Sequence, residues 1–459
     1  MRQAAGISLG AAGALLVGVG CALGGLPGPA CWTAAVTALC ATWWILEPVP
    51  IPATSLVPFV VFPLTGVLDH QQVAQAYGHT LILLLLGGFI LSTAMERSGA
   101  HRRLALGLAR LLQDRSGNMT PRRLVLGFML ATALASMWIS NSATTLAFVP
   151  IALAALQRNE DPATNAAVLL GICYAASIGG MGTPIGTPPN LLFMAAHGEV
   201  TGQHWSFLGW MRIGVPVVAV MIPVAFWLLT RRLPSTPLPS IEVPGPWTIA
   251  ERRVLIVFAV AACAWVTRTT PWGGWQGLLG VDTTGDATVA LGAALALFLV
   301  PDGRGQQLLD WKTAQRIPWG ILLLFGGGLA LARAFGTSGL SATIGAQLSV
   351  LAHIPPLPMI LGVCLGVTFL TEVTSNTATA ALLMPLLAAA AISAGIEPAL
   401  LMLPAALSGS SAFMLPVATA PNAIVFGTGR ITTAQMARAG LALNLLGVPV
   451  ISLICWLLL

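Results

Sequence analysis

The chain has 459 residues, of which 56% are hydrophobic and 8% are charged, with 21 basic against 15 acidic residues. A soluble domain carries about 25% charged residues, and a disordered chain combines low hydrophobicity with high charge, so this composition excludes both. The net charge of +6 does not indicate a nucleic-acid partner, because the basic residues are scattered at the ends of apolar segments. We expect an all-α polytopic membrane protein that lies in a lipid bilayer.

Nine segments have the length and uniform apolar character of ordinary transmembrane helices, which need about 20 mostly apolar residues. The first follows Arg2 and is longer than the hydrophobic core of a signal peptide, about 7 to 15 residues, so we expect a retained span. The nine spans are predicted at 5–25, 29–46, 51–68, 79–98, 211–230, 253–268, 286–301, 318–336 and 438–459.

Two longer segments, 124–157 and 357–393, exceed one straight span but are too short for two spans and a turn. Each has a polar cluster near its midpoint: Ser140-Asn141-Ser142 and Ser375-Asn376-Thr377. This combination is typical of a re-entrant hairpin, which dips to the middle of the membrane and returns to the same side. We predict one such hairpin in each segment.

Two other segments, 165–197 and 399–428, are interrupted by runs that cannot remain helical. These runs are Gly186-Thr187-Pro188-Pro189-Asn190 and Ala418-Thr419-Ala420-Pro421-Asn422. Proline removes a backbone donor and disfavours the helical conformation of the preceding residue. Unpaired backbone at membrane depth is tolerated only where protein, water or a ligand satisfies it, so we predict two broken helices that line a site.

These elements make eleven crossings and two hairpins. With a cytoplasmic N-terminus, 18 of the 21 Arg and Lys residues lie in loops assigned to the cytoplasm, and only Arg212, Arg268 and Arg333 fall elsewhere. Cytoplasmic loops are enriched in positive residues, which supports the span boundaries independently. We expect a multi-pass protein of the cell (inner) membrane with its C-terminus outside.

The two halves of the chain repeat three features in the same order. A run of leucines and glycines at 83–88 recurs at 322–327, and each is followed by a Ser-Asn-Ser/Thr hairpin and a Thr-x-Pro-Asn break. The span at 318–336 is the fifth crossing after the span at 79–98, hairpins not counted, so the two run in opposite directions. Inverted repeats with discontinuous helices are typical of secondary transporters, and the breaks indicate the binding site.

The polar side chains at the hairpin turns and breaks are neutral. Helix N-termini at these points present free N–H groups and a partial positive charge, which suits an anion such as a carboxylate. Freed carbonyls and Ser, Thr and Asn oxygens suit a hard cation such as sodium, which would neutralise a dianion in a site with no fixed positive side chain. These positions offer no nucleophile with a base and no carboxylate pair, so we expect no enzyme.

Glu372 is the one ionisable side chain in the second hairpin, and it has no counterpart in the first. A carboxylate within the membrane is a functional candidate by default. Two interpretations stay open: a proton carrier, or a structural group that bonds to the hairpin's own backbone or faces water near the site.

The paired hairpin turns and the two Pro-Asn breaks together resemble the divalent anion:sodium symporter (DASS) family, from about residue 40 to the end of the chain. This family carries di- and tricarboxylates or sulfate. The resemblance implies a homodimer in which each protomer has a scaffold domain and a transport domain that moves as an elevator. Residues 1–123 and 231–336 would form the scaffold, and residues 124–230 and 337–459 the transport domain.

The resemblance also implies which residues bind the ions. The first sodium site would comprise Ser136, Ser140, Asn141 and Gly186. The second would comprise Thr371, Thr374, Asn376 and Ala418. The residues around the substrate carboxylates would be Asn141, Ser142, Thr187, Pro188, Asn376, Thr377 and Thr419.

Two positions depart from the family pattern: Ser142 stands where Thr is usual in the first turn, and Ala420 where Pro is common in the second break. The hydroxyl survives the first change, so anion binding should survive, but the pocket gains space. The expected function is sodium-coupled symport of a divalent anion, a C4-dicarboxylate such as succinate. The alternatives are a sodium-independent dicarboxylate exchanger and a carrier of citrate or sulfate on the same fold.

Overall fold

The computed structural model describes residues 2–111, 119–156, 161–234, 245–270, 273–347 and 354–459. Within these ranges the chain folds into 23 helices and contains no β-strand. Eight helical segments in the described part are long and apolar enough to cross a membrane. The mostly helical architecture expected from the composition is therefore present.

The first seven helices precede the first predicted hairpin. They are α1 (Arg2–Leu23), α2 (Gly28–Leu46), α3 (Ile51–Thr54), α4 (Val57–Thr65), α5 (His70–Tyr77), α6 (Thr80–Ser98) and α7 (Ala100–Leu111). The span expected at 51–68 is divided into α3 and α4. Pro58 lies four residues after Thr54 and has no N–H to donate to the Thr54 carbonyl, so the helical ladder is interrupted there.

The hairpin and break of the first half consist of four helices, followed by one long span. They are α8 (Pro121–Ser136), α9 (Asn141–Ala155), α10 (Pro162–Gly180), α11 (Pro188–Thr201) and α12 (Phe207–Thr230). Proline stands at the first position of α8, α10 and α11, where its missing N–H costs no helical bond. The chain between α10 and α11 is the predicted break.

The second half contains the helices α13 to α23 in the described ranges. Its first five helices are α13 (Ile249–Val266), α14 (Gly274–Leu279), α15 (Asp286–Leu299), α16 (Trp311–Ala314) and α17 (Trp319–Thr337). The rest are α18 (Leu340–Gln347), α19 (Pro356–Thr371), α20 (Asn376–Ser393), α21 (Ala399–Ser408), α22 (Ala420–Phe426) and α23 (Thr433–Leu458). Helix–turn–helix units stand where the hairpins were predicted, and their depth in a membrane stays a prediction.

The hairpins and breaks of the two halves interlock. Helix α22 of the second break packs against α9 and α10 of the first half, and α11 of the first break packs against α20 and α21 of the second half. These contacts between the halves bring both hairpin turns and both breaks close together. Helices α6 and α17 lie beside this block, where Gly88 faces Ile185 and Gly328 faces Ala381 and Leu192.

Five helices were not expected from the sequence: α5, α7, α14, α16 and α18. All are short, with 4 to 12 residues, so none has the long apolar run by which spans are recognised. For α5 a local signal did exist. Asp69 caps the helix by accepting from the Gln72 backbone N–H, and the Gln72 side chain accepts from the Asp69 backbone N–H.

Candidate functional site

A cavity of about 970 Å³ lies where the two hairpin turns meet the two breaks. Eleven of the thirteen residues expected to bind the ions or the substrate line it: Ser140, Asn141, Ser142, Gly186, Thr187, Pro188, Thr374, Asn376, Thr377, Ala418 and Thr419. The other two, Ser136 and Thr371, are fully buried and hydrogen-bonded to cavity residues. The fold thus gathers residues that are up to 283 positions apart in sequence (419 minus 136).

The first hairpin turn assembles a cluster of three oxygen atoms, one of which is a hydroxyl oxygen. Ser136 Oγ lies 2.7 Å from Asn141 Oδ1 and 2.7 Å from the carbonyl oxygen of Ala176 on α10. A hydroxyl has a single hydrogen to donate, so this cluster has more acceptors than donors. Hard cations prefer such oxygen ligands.

The second hairpin turn assembles the same cluster. Thr371 Oγ1 lies 2.6 Å from Asn376 Oδ1 and 3.0 Å from the carbonyl oxygen of Gly409, just after α21. In each turn the hydroxyl residue precedes the asparagine by five positions. In each half the third oxygen comes from the end of the helix that leads into the break. The two clusters are therefore counterparts.

Gly186 packs closely against Gly180, which lies beside the Asn141 side chain of the first cluster. A Cβ atom at Gly180 would lie 2.6 Å from Asn141 Oδ1, and one at Gly186 would lie 2.5 Å from the Gly180 carbonyl oxygen. Both positions therefore require glycine. Gly180 therefore lies close to both the Asn141 side chain and the Gly186 backbone, and the role of Gly186 in a cation site stays a prediction.

Ser140 and Thr374 have other contacts. Ser140 is the N-cap of α9, and its Oγ accepts from the Ala143 backbone N–H at 3.3 Å. Thr374 Oγ1 lies 2.8 Å from the Leu370 carbonyl oxygen and 2.6 Å from Thr379 Oγ1. Neither hydroxyl is hydrogen-bonded to the oxygen cluster of its own turn. Both side chains border the cavity, where the predicted role stays a prediction.

Three helices of more than ten residues begin at the cavity wall: α9, α11 and α20. The first backbone N–H groups of a helix have no partner within the helix, and its N-terminus has a partial positive charge. Helix α11 begins with Pro188 and Pro189, which have no N–H, so α9 and α20 offer the free donors and α11 contributes its partial charge. The short helix α22 also starts there, and its cap Thr419 accepts from the Asn422 N–H at 3.2 Å. Convergent N-termini make this part of the cavity suited to an anion without an arginine or lysine at the breaks.

The asparagines that end the two break motifs do not face the cavity. Asn190 and Asn422 are completely buried. Asn190 Nδ2 donates to the carbonyls of Gly180 and Thr183, and Asn422 Nδ2 donates to those of Ala412 and Leu415. Each side chain therefore satisfies carbonyls that the broken helix leaves free, which explains the asparagine in both motifs.

Four ionisable residues in the cavity wall were missed from the sequence: Glu47, Glu96, His101 and Arg316. Glu96 lies near the end of the predicted span at 79–98, and the other three follow or precede ordinary spans. No local pattern distinguishes them from other charges at span ends. Glu47 has a left-handed backbone, with φ of 47°, at the end of α2. His101 is buried outside the predicted spans, and desolvation by that burial lowers its pKa below the ordinary value.

Comparison with known proteins assigns this chain to a family. The sequence profile of the citrate transporter family matches residues 41–406. The chain belongs to that family. This match covers both predicted hairpin segments and the whole region between them.

Two curated relatives extend the match to most of the chain. The sodium-dependent dicarboxylate transporter SdcS of Staphylococcus saprophyticus is 40% identical over 450 residues, covering 92% of this chain and 85% of the relative. SdcS of Staphylococcus aureus is 38% identical over 457 residues, covering 94% and 86%. The resemblance to the divalent anion:sodium symporters is thereby confirmed. The chain is a multi-pass membrane transporter and not an enzyme.

Solved structures share the fold at low sequence identity. The YdaH transporter of Alcanivorax borkumensis has a TM-score of 0.57 at 15% identity, over 93% of this chain and 98% of that one. MtrF of Neisseria gonorrhoeae has a TM-score of 0.57 at 12% identity, over 86% and 84%. These likenesses concern the fold alone.

Proposed function

We propose that this transporter is a sodium-coupled symporter of a C4-dicarboxylate such as succinate. One observation carries the proposal: two matching three-oxygen clusters, around Ser136 and Thr371, flank a cavity at which helix N-termini converge. The clusters offer oxygen ligands to a cation, and the N-termini offer N–H donors to carboxylates. The relatives named as sodium-dependent dicarboxylate transporters support the same ion and substrate class.

Each turn asparagine has two roles in this proposal. Asn141 and Asn376 direct Oδ1 into the oxygen clusters and border the cavity. The amide group has two N–H donors as well as its oxygen. Oδ1 then coordinates sodium while the NH2 group donates to a substrate carboxylate, together with Ser142, Thr377, Thr187 and Thr419.

The coupling follows from charge. The hairpin turns and breaks contain no lysine or arginine, and Arg316 is the one arginine or lysine among the described residues that line the cavity. A dianion in such a site is costly unless cations neutralise it. Sodium bound at the two clusters supplies that charge, so substrate binds well only after sodium.

We place residues 124–230 and 337–459 in a moving transport domain and the remaining residues in a scaffold. The hairpins and breaks of the two halves pack against one another, which supports treating them as one block. The glycines of α6 and α17 that face this block have no side chains to obstruct its movement. Translation of the block past α6 and α17 would carry the site across the membrane. Assembly as a homodimer belongs to the same proposal.

The described conformation has its cavity at one end of α6 and α17. Glu96 near the end of α6 and Ile317-Pro318 before α17 line the cavity, and these ends lie beside arginine-rich loops. Because such loops are typically cytoplasmic, we assign this cavity to the inward-open state, with the N-terminus inside and the C-terminus outside.

The experiment is uptake of labelled succinate into proteoliposomes that contain the purified protein. Uptake that requires an inward sodium gradient, fails with potassium and needs no preloading supports the symporter. Uptake that requires preloaded succinate and ignores sodium would contradict it and indicate an exchanger. Citrate is the second candidate substrate, favoured by the family match. Sodium-driven uptake of labelled citrate without uptake of labelled succinate would favour it, and labelled sulfate is the third substrate to test.

A further inference from the structure

Glu372 is buried, and both of its carboxylate oxygens are occupied by N–H donors. Oε1 accepts from the backbone N–H groups of Phe413 at 2.7 Å and Met414 at 2.9 Å. Oε2 accepts from Met414 and Leu415, each at 3.1 Å. Asn444 Nδ2 on α23 donates to Oε1 at 2.7 Å. The carboxylate therefore bonds to the second break and to α23, whereas the sequence had suggested its own hairpin or water.

The second break needs such an acceptor because its helix ends early. In the first break, α10 ends at Gly180, and the N–H groups of Met181 and Gly182 still bond to helical carbonyls at 3.1 and 2.9 Å. Gly180 corresponds to Ala412, since each precedes its break asparagine by ten residues. Helix α21 instead ends at Ser408, four residues earlier. Glu372 accepts from the amides that the longer unwound segment leaves without a helical partner.

In both halves the break donates hydrogen bonds to the turn, but the side-chain and backbone groups exchange roles. In the first half, the Thr183 hydroxyl of the break donates to the Met137 carbonyl of the turn. Met137 and Glu372 each precede their turn asparagine by four residues, and Thr183 and Leu415 each precede their break asparagine by seven. In the second half, the break backbone donates to a turn side chain. The connection occupies the same place in both halves while its chemistry differs.

The unwound segment is enclosed on its other sides. A Cβ atom at Gly440 would lie 2.2 Å from the Phe413 carbonyl oxygen, so α23 packs directly on this backbone. Asn422 accounts for the carbonyls of Ala412 and Leu415. Glu372 also directly follows Thr371, which bonds to the Gly409 carbonyl where the segment begins. Residues 371 and 372 thus hold both ends of the stretch from 409 to 415.

We propose that Glu372 is a positioning residue for the second cation site, which it builds by fixing the unwound segment 409–419 against the hairpin turn. Its carboxylate also places a formal negative charge beside Thr371, whereas the first site has the neutral Met137 at that position. All the groups that reach Glu372 are N–H donors, so its oxygens act only as acceptors, as in an ionised carboxylate. This inference rests on the proposed sodium-coupled transport and names the residue that makes its two cation sites unequal.

The first measurement compares wild type, Glu372→Gln and Glu372→Asp in proteoliposomes. Glu372→Gln replaces one acceptor oxygen with a donor that faces N–H groups. We expect the sodium concentration for half-maximal succinate uptake to rise about tenfold, with the succinate KM at saturating sodium changed less than twofold. Glu372→Asp keeps the charge and should rescue part of the sodium affinity. A folded Glu372→Gln variant with wild-type sodium dependence would overturn the proposal.

The second measurement is amide hydrogen exchange in potassium, which does not depend on the transport activity. Exchange in the peptide containing 412–419 should rise at least tenfold in Glu372→Gln and stay unchanged at 181–187. The matched control is Glu397→Gln, whose carboxylate is 54% exposed and lies outside the cavity lining. If Glu372→Gln does not fold, Asn444→Ala removes one donor and should raise the same exchange to a smaller extent.

The two measurements separate the possible failures. Unchanged exchange at 412–419 in both variants would overturn the positioning role. Faster exchange in Glu372→Gln, combined with wild-type uptake that ignores sodium, would refute the proposed function while retaining the positioning of segment 409–419 by Glu372. Faster exchange with unchanged sodium affinity would limit Glu372 to a structural role and overturn its assignment to the cation site.

Discussion

Arg333 on α17 and Glu199 on α11 form a bidentate ion pair across the boundary between the proposed scaffold and transport domains. Arg333 Nη2 lies 2.9 Å from Glu199 Oε1, and Nε lies 3.1 Å from Oε2. Arg333 Nη1 also donates to the carbonyl of Gln72 and to the side chain of Gln75 on α5. The two charged side chains are 21% and 14% exposed, so water screens the pair only in part.

Because sliding of α11 past α17 would separate this pair, we expect it to stabilise the described state. Glu199→Gln should lower labelling of a cysteine at Val417, an exposed cavity residue, about threefold to tenfold from the cytoplasmic side. The measurement uses a membrane-impermeant thiol reagent on inside-out vesicles, after replacement of the exposed Cys263 and the half-exposed Cys21 and Cys31.

The charge-swapped double variant Glu199→Arg/Arg333→Glu provides the control for the ion pair. It should recover labelling toward the wild-type level, because the attraction is restored with reversed signs. Unchanged labelling in Glu199→Gln would show that the pair does not bias the equilibrium.

Asn141→Ala and Asn376→Ala should each reduce succinate uptake at least a hundredfold while the protein stays folded. Each substitution removes an oxygen from a cation cluster and the amide proposed to bind a carboxylate. The readouts are initial uptake rates and size-exclusion profiles. Thr93→Val is the matched control, since Thr93 also lines the cavity but its hydroxyl donates to the Phe89 carbonyl of its own helix. Substantial uptake in either alanine variant would remove that turn from the site.

Ser136→Ala and Thr371→Val should each raise the sodium requirement, because each removes the central hydroxyl of one cluster. We expect an increase of about fivefold to thirtyfold in the half-maximal sodium concentration and a lower Hill coefficient. Thr42→Val tests for a general effect of losing a hydroxyl, since Thr42 donates to the Ala38 carbonyl within α2. Equal sodium curves for wild type and both site variants would contradict two cation sites at the turns.

Gly214→Ala and Gly440→Ala should destabilise the protein because each places a methyl group against a break backbone. The added Cβ would lie 2.4 Å from the Met181 carbonyl oxygen in the first case and 2.2 Å from that of Phe413 in the second. Overpacking typically costs about 1–3 kcal/mol, and here the backbone itself must move. Thermal unfolding in detergent should therefore begin several degrees lower.

Gly366→Ala is the matched control for these substitutions. Gly366 lies within α19, and a Cβ added there would have no atom of the described neighbouring residues within 4 Å. Alanine at this position should therefore be neutral or stabilising because of its higher helix propensity. Equal losses of stability at positions 366 and 440 would show that the effect is not due to the close approach at the break.

The elements that the sequence predicted well are those specified by local chemistry. Proline removes the helical donor at Pro188 and Pro421, so both breaks lie where the motifs indicate. New helices begin at Asn141 and Asn376, each after a serine at the N-cap position. Eight of the nine ordinary spans each coincide with one helix, because a long apolar run is typical of a transmembrane helix. The ninth, at 51–68, is divided by Pro58 into α3 and α4.

The elements that the sequence missed depend on contacts between distant segments. No local sequence pattern indicates that the carbonyls of Ala176 and Gly409 supply the third oxygen of each cluster. Nor does one indicate that Arg316 and Glu47 border the cavity. Glu372 was recognised as unusual, but its partners lie 41 to 72 residues away.

The sequence alone determined the class of the protein, the positions of its turns and breaks, and the residue types that could bind ions. These properties follow from hydrophobicity, proline chemistry and repeat spacing, which act within one segment. Only the tertiary structure decided which backbone groups each side chain satisfies. A buried donor or acceptor must find a partner wherever the packing of helices leaves one free, and that packing is shared by the whole chain.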